Sequence, residues 1–167
     1  MSLVAKRVVV LGIGNTLLTD EALGVEAVEQ LARAYRVPDD VLLLDGGTSA
    51  MDLLEPIAGC DLLIVADAVL SGQAPGSIVR LAGAEVPVFF RTKLSPHQVG
   101  LSDLLASLEF SGELPARTVV LGLEPASMGL GLEMTPVVRA QVPALVELIA
   151  AELRAAGVPL ASGAARS

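Results

Sequence analysis

Residues 7–24 have the sequence RVVVLGIGNTLLTDEALG. The apolar run after Arg7 predicts a β-strand, the glycines predict a sharp turn, and the pattern from Ala22 onward predicts a helix. Such a turn into a helix N-terminus normally binds phosphate, because free N–H groups and the positive end of the helix dipole face the ligand. Asp20 and Glu21 would repel a phosphate and would offer hard oxygen donors to a divalent cation. The segment therefore favours a metal.

The composition is that of one globular domain. The chain has 167 residues, 53% of them hydrophobic, so we expect a single α/β domain over residues 1–167 with a frayed tail at 158–167. A net charge of −8 leaves no basic patch for DNA or RNA. No apolar run approaches the roughly 20 residues that cross a bilayer. The N-terminus has no signal-peptide pattern, so we expect no membrane insertion and a cytoplasmic location.

Short apolar runs alternate with longer segments of helical period. This alternation is typical of βαβ units with right-handed crossovers. We predict a three-layer α/β/α fold around a mostly parallel, twisted, five-stranded sheet. The predicted strands are Lys6–Gly12, Val41–Asp45, Asp61–Asp67, Ser77–Leu81 and Arg117–Leu123. The fourth, which is followed by Glu85–Phe90, is the least regular and is the candidate for an antiparallel edge strand.

Helical patterns fill the intervals between the strands. One runs from about Ala22 to Val37–Pro38, and a shorter one runs from Ala50 to Ala58 and contains Pro56. Two further helices have the start signal of a Ser or Thr N-cap followed by proline. They begin at Ser95–Pro96 and at Thr135–Pro136, and the second is predicted to continue to about Gly157 with a bend at Pro143.

Acidic residues follow several of the predicted strands. In an open α/β sheet, ligands bind outside the carboxyl ends of the strands. The polar residues predicted at this edge are Asp20, Glu21, Asp45, Asp67 and His97. The chain has a single histidine, which excludes a multi-histidine zinc site. One imidazole with two carboxylates stays feasible, and Glu21, Asp67 and His97 would leave coordination positions open for water or substrate.

Each of these residues also has an ordinary structural interpretation. Asp20 fits an N-cap better than a ligand, because an acid just before a helix accepts its free N–H groups. Asp67 could cap the turn that follows its strand, and Asp45 could belong to a tight turn. His97 could be a hydrogen-bonded residue at a helix start. From the residues alone, the ligand and structural roles stay open.

Other chemistries have weaker support. Cys60 is predicted at the opposite edge of the sheet from His97, which disfavours a Cys–His pair, and it can form neither an intramolecular disulfide nor a CxxC site. A dinucleotide site is suggested by Gly12-Ile13-Gly14 and by Asp45. Leu17 takes the place of the third glycine of that fingerprint, and we expect its bulk to hinder close helix packing. An NAD enzyme is therefore disfavoured.

Four segments carry a resemblance to a known family. They are Gly12–Asn15 with Leu17–Glu21 and Gly24, then Asp45–Thr48, then Ala66–Ala68, then Lys93–Gln98. In this order and spacing they resemble the hydrogenase maturation endopeptidases, and most nearly those that process the large subunit of uptake-type [NiFe] hydrogenases. The likeness extends from about Lys6 to the closing helix.

The resemblance implies a function and a set of residues. The expected activity is a nickel-dependent, metal-assisted or aspartic-type removal of the C-terminal extension of the [NiFe] hydrogenase large-subunit precursor, after nickel insertion. The nickel arrives with the precursor, so we expect no tightly held resting metal. Glu21, Asp67 and His97 are the expected metal contacts, Glu21 and Asp67 the expected catalytic carboxylates, and a monomer the expected state. The alternative is a non-catalytic maturation chaperone that binds the metal or the precursor.

Overall fold

The computed structural model describes residues 7–47, 53–86 and 105–163. His97, the predicted helix start at Ser95–Pro96 and residues 87–90 of the irregular fourth region lie outside these ranges. The strands are β1 (Val8–Ile13), β2 (Tyr35–Arg36), β3 (Val41–Gly47), β4 (Leu62–Ala68), β5 (Ile78–Ala82), β6 (Thr118–Leu123) and β7 (Ala161–Ser162). The helices are α1 (Leu23–Ala34), α2 (Leu54–Ile57), α3 (residues 105–110), α4 (Pro136–Arg139) and α5 (Val142–Ala155), and a 3-10 helix (Thr19–Ala22) precedes α1.

The main sheet has, within the described residues, five strands in the order β3-β1-β4-β6-β5. The pairs β3–β1, β1–β4 and β4–β6 are parallel, whereas β5 at the edge is antiparallel to β6. The predicted five-stranded, mostly parallel sheet with one antiparallel edge strand is therefore confirmed. β1 and β4 are buried along their whole length, as expected of strands covered on both faces.

Helices cover both faces of this sheet, which gives the three predicted layers. Successive residues of a strand point to opposite faces. Val8 and Val10 of β1 pack in a core cluster with buried residues of α1 and α5. Val9 and Leu11 pack in a second cluster with apolar residues of α2 and α3. Of the helices that the structure describes, none combines the length and the apolar character needed to cross a membrane.

The first helix and the C-terminal tail differ from the prediction. α1 ends at Ala34, not near Val37–Pro38, because Tyr35–Arg36 forms an antiparallel pair with Ala161–Ser162. The same pairing means that residues 158–163 are not a frayed tail, and Val158 is buried. The Tyr35 hydroxyl also donates a hydrogen bond of 2.6 Å to Glu147 Oε1 of α5. These contacts join segments that are far apart in sequence, so local sequence patterns do not predict them.

The closing helix is divided into two. α4 spans Pro136–Arg139 and α5 spans Val142–Ala155, with Pro143 in the first turn of α5. Proline lacks the N–H that a continuous helix would use, and its ring clashes with the carbonyl four residues earlier. A break followed by proline in the first turn removes both problems. The predicted bend at Pro143 is thus a full interruption.

Candidate active site

Glu21 lies at the carboxyl edge of the sheet and is 4% exposed. Close backbone packing holds the turn around it. A Cβ at Gly24 would collide with the carbonyl oxygens of Ala66 and Ile13, and a Cβ at Gly14 would collide with the carbonyl oxygen of Glu21. Glycine at these two positions therefore lets the start of α1 lie directly against the ends of β1 and β4.

Asp67 lies near the end of β4 and is 1% exposed. Its backbone is held on one side by the register partner Gly122 of β6, while the preceding Ala66 pairs with Gly12 of β1. Asp67 Oδ1 accepts a hydrogen bond of 2.7 Å from the Ala68 N–H. Asp67 Oδ2 is buried and accepts no hydrogen bond from any described residue. β4 therefore holds the Asp67 carboxylate in place, and Oδ2 is available to accept a proton or a cation.

The environment of Asp67 changes its acidity. Burial raises the pKa of Asp67 well above its ordinary value, because the charged form loses its hydration. The hydrogen bond from Ala68 opposes this rise in the pKa, and the negative charge of Glu21 adds to it. The 3-10 helix that contains Glu21 packs against β4, so the two carboxyl groups lie at the same edge of the sheet. A buried pair of this kind is typical of sites that bind a cation or transfer a proton.

Asp20, the acid that precedes Glu21 in the turn, has a structural role, though not the predicted one. It is fully buried, and its side chain caps no N–H of the 3-10 helix or of α1. Its Oδ2 accepts hydrogen bonds from the N–H groups of Ala126 and Ser127, at 2.8 and 3.0 Å. Its Oδ1 accepts one of 2.8 Å from the Thr135 N–H. Asp20 therefore joins the first turn to a loop more than a hundred residues away.

Glu124 is a buried acid that the sequence analysis missed. It directly follows β6 and is 7% exposed. Its Oε1 accepts hydrogen bonds from the Ser71 N–H at 2.8 Å, the Ser71 hydroxyl at 2.6 Å and the Gln73 N–H at 3.3 Å. The signal was present, because an acid directly after an apolar strand is the pattern that identified Asp67. Glu124 holds the loop that follows β4 against the end of β6.

Three comparisons with known proteins agree. The family model described as "HycI: Hydrogenase maturation protease" matches residues 25–152. The Hydrogenase 2 maturation protease of Escherichia coli strain K12 is 47% identical over 153 residues, which are 91% of this chain and 93% of that protein. The chain belongs to the hydrogenase maturation protease family.

Solved structures extend the comparison to the fold. The structure of the hydrogenase maturating endopeptidase HybD from E. coli has a TM-score of 0.90 and 46% identity, covering 93% of this chain and 97% of that chain. The [NiFe] hydrogenase maturation protease HybD from Thermococcus kodakarensis has a TM-score of 0.74 and 30% identity, covering 88% and 98%. The protein is accordingly a hydrolase, a hydrogenase maturation endopeptidase, and the predicted family is confirmed.

Three other residues considered from the sequence are Asp45, His97 and Cys60. Asp45 is at the predicted edge, opposite Gly12 in the β1–β3 register, with an exposed side chain. His97 lies outside the described residues, so its predicted contact stays a prediction. Cys60 is fully buried before β4, at the opposite edge of the sheet, and burial raises its pKa to about 11. A protonated, inaccessible thiol is not a nucleophile.

Leu17 does not hinder the packing of the helix on the sheet. The predicted hindrance is wrong, because the Leu17 side chain is 57% exposed. The close approach is made instead by Gly24, whose Cα faces the carbonyl oxygens of Ile13 and Ala66. In this protease the phosphate-binding interpretation fails for another reason, which is that the edge contains the buried acids Glu21 and Asp67.

Proposed function

We propose that this protease removes the C-terminal extension of a [NiFe] hydrogenase large-subunit precursor, and that it does so after nickel insertion. The observation that carries the proposal is the buried pair Glu21 and Asp67, in which Asp67 Oδ2 accepts no hydrogen bond from a described residue. A buried carboxylate oxygen without a donor is costly unless a proton or a cation occupies it. The T. kodakarensis relative is named as a [NiFe] hydrogenase maturation protease, which supports nickel as the cation.

The acidity of Asp67 supports a weak affinity for metal in the resting enzyme. Because burial and the charge of Glu21 raise its pKa, the free enzyme retains a proton on Asp67 to a higher pH than an ordinary aspartate would. A divalent cation has to displace that proton, which weakens the binding of a free ion. A nickel ion within a docked precursor gains the additional binding energy of the protein–protein contact. Nickel-loaded precursor is thereby distinguished from unloaded precursor.

The donor set suits a metal whose other ligands belong to the substrate. Glu21 and Asp67 offer carboxylate oxygens, and among the described residues no group of three potential ligand side chains occurs. Two oxygen donors do not form a closed site, so the precursor's own ligands can remain on the metal. We propose His97 as a third contact, on the basis of the family resemblance of its segment.

Peptide hydrolysis by this site requires a base and an acid. We assign one carboxylate of the pair as the general base that accepts a proton from water as the water oxygen attacks the scissile carbonyl carbon. The resulting carboxylic acid then donates the proton to the nitrogen that leaves. The precursor's nickel contributes Lewis-acid polarisation. The second carboxylate of the pair would serve only as a metal contact.

The proposal is tested by incubating the purified protein with nickel-loaded precursor and measuring the precursor's mass. Wild-type protein should release a C-terminal peptide. Glu21→Gln and Asp67→Asn should reduce the cleavage rate by at least about 100-fold, since each removes a base or a metal contact. Glu26→Gln is a matched control, because Glu26 is an acid of α1 that pairs with Arg33 on the surface.

Three results would decide between the candidate functions. Cleavage by wild type and by Glu26→Gln, with loss in the other two variants, supports the protease mechanism. Full cleavage by both Glu21→Gln and Asp67→Asn contradicts it. Stable binding of the loaded precursor by wild type without any mass change indicates the non-catalytic chaperone instead.

A further inference from the structure

A network of hydrogen bonds joins the turn that carries Glu21 to the loop of residues 126–135. Asp20 is its centre, since both carboxylate oxygens accept backbone N–H groups of that loop. The Thr135 hydroxyl lies 3.0 Å from Oδ1 and 2.8 Å from Oδ2 of Asp20, and donates to this carboxylate as well. Hydrogen bonds to a charged acceptor are among the stronger ones in proteins. The two segments are therefore fastened firmly together.

Backbone contacts reinforce the same junction. The Thr19 N–H donates to Gly131 O at 3.0 Å, the Gly131 N–H donates to Leu17 O at 3.0 Å, and the Asp20 N–H donates to Ser127 O at 3.1 Å. Thr19 has a φ of +46°, a left-handed conformation that is uncommon outside glycine. Its hydroxyl donates to Ser127 O at 2.8 Å, so the loop holds the side chain of this strained residue as well.

Glu21 directly follows Asp20 in the chain, and its backbone is confined from the other side. Its N–H donates to Leu18 O at 3.0 Å, and its carbonyl oxygen lies against Gly14. Asp67, in contrast, is fixed in the centre of the sheet between β1 and β6. The separation of the two carboxyl groups therefore depends on where the turn sits, and the turn is held by Asp20.

We propose that Asp20 is a positioning residue, which clamps residues 126–135 onto the turn and thereby holds Glu21 opposite Asp67. This inference rests on the proposed function, in which Glu21 and Asp67 act together on the precursor. Asp20 itself contacts neither the precursor nor its metal, because its side chain is fully buried and both its oxygens are occupied by the loop.

Asp20→Asn is the direct test, because an amide places an NH2 group against backbone donors that need an acceptor. At a temperature at which the variant is fully folded by circular dichroism, its kcat on nickel-loaded precursor should fall about 10- to 100-fold with KM nearly unchanged. Thr135→Val, which removes only the hydroxyl, should give a smaller loss in kcat, and Thr135→Ser should restore it.

A stability control separates positioning from general weakening. Leu153 is fully buried in α5, so Leu153→Ala should lower the melting temperature without touching the turn. The proposal predicts that Asp20→Asn loses far more kcat than Leu153→Ala when both are folded. Equal losses in the two variants would overturn it.

A crystal structure of Asp20→Asn tests the inference independently of the reaction. The carboxylate of Glu21 should be displaced relative to Asp67, and residues 126–135 should be shifted. Superposition of these groups on the wild type would refute the positioning role. If wild-type protein failed to cleave the precursor, the proposed function would fail, while this structural comparison would still decide whether Asp20 positions Glu21.

Discussion

Gly24 should be one of the least replaceable residues of the protein. An alanine there would place its Cβ against the carbonyl oxygens of Ala66 and Ile13 on two neighbouring strands. Both atoms belong to paired backbone, so neither can rotate away as a flexible side chain could. Because an ordinary carbon–oxygen contact is about 3.5 Å, α1 would have to move outward by about 1 Å.

The cost of this movement can be compared with the benefit of alanine in a helix. Overpacking of a well-filled site costs about 1–3 kcal/mol. The higher helix propensity of alanine returns at most about 1 kcal/mol. Because the colliding atoms are backbone, the upper end of that cost applies, and the free energy of unfolding of Gly24→Ala should fall by about 2 kcal/mol. For an m-value near 2 kcal/mol/M, this lowers the urea midpoint by about 1 M.

Urea titration followed by circular dichroism measures this change, and precursor cleavage measures its effect on the site. An outward shift of about 1 Å at the start of α1 moves Glu21 away from Asp67 and should reduce kcat by about 100-fold. Gly129→Ala is the control, because among the residues that the structure describes a Cβ there would meet only Ser127 Oγ, at 3.8 Å. A Gly24→Ala protein as stable and as active as Gly129→Ala would refute the argument that glycine packing positions Glu21.

Two further predictions concern the buried acids. Because the folded state raises the pKa of Asp67, the folded protein binds a proton that the unfolded chain releases. The free energy of unfolding should therefore fall as pH rises from about 4 through the folded-state pKa, by up to about 1.4 kcal/mol per pH unit. Asp67→Asn should lack this component, and identical pH profiles of urea stability would contradict the assignment. Glu124→Gln should cost about 1 kcal/mol, because charge-assisted bonds to Ser71 and Gln73 become neutral ones. Unchanged amide exchange of Ser71 and Gln73 would contradict that role.

The sheet was predictable because its signals are local. Strands buried on both faces need runs of Val, Leu and Ile, and the runs at 8–11, 62–65 and 119–121 mark β1, β4 and β6. The parallel arrangement then places the strand ends, and hence Glu21 and Asp67, at one edge. The pairing of Glu21 with Asp67 follows from this topology and from the close packing that Gly24 permits.

The parts that were missed depend on contacts between distant segments. The helix-capping interpretation of Asp20 used its nearest neighbours, whereas its actual donors are residues 126, 127 and 135. The pairing of β2 with β7 shortened α1 for the same reason. In neither case does the sequence of one segment identify the segment that it contacts, so these contacts are seen only in the folded structure. Glu124 is different, because its place after an apolar strand could have been recognised.

Glu21 and Asp67 are proposed to act together on a precursor that carries nickel. The test is the rate at which the purified wild-type protein shortens the large-subunit precursor, with the precursor prepared either loaded with nickel or free of it. We expect rapid release of the C-terminal peptide from loaded precursor and none from the nickel-free form. Equal rates with the two forms would contradict it.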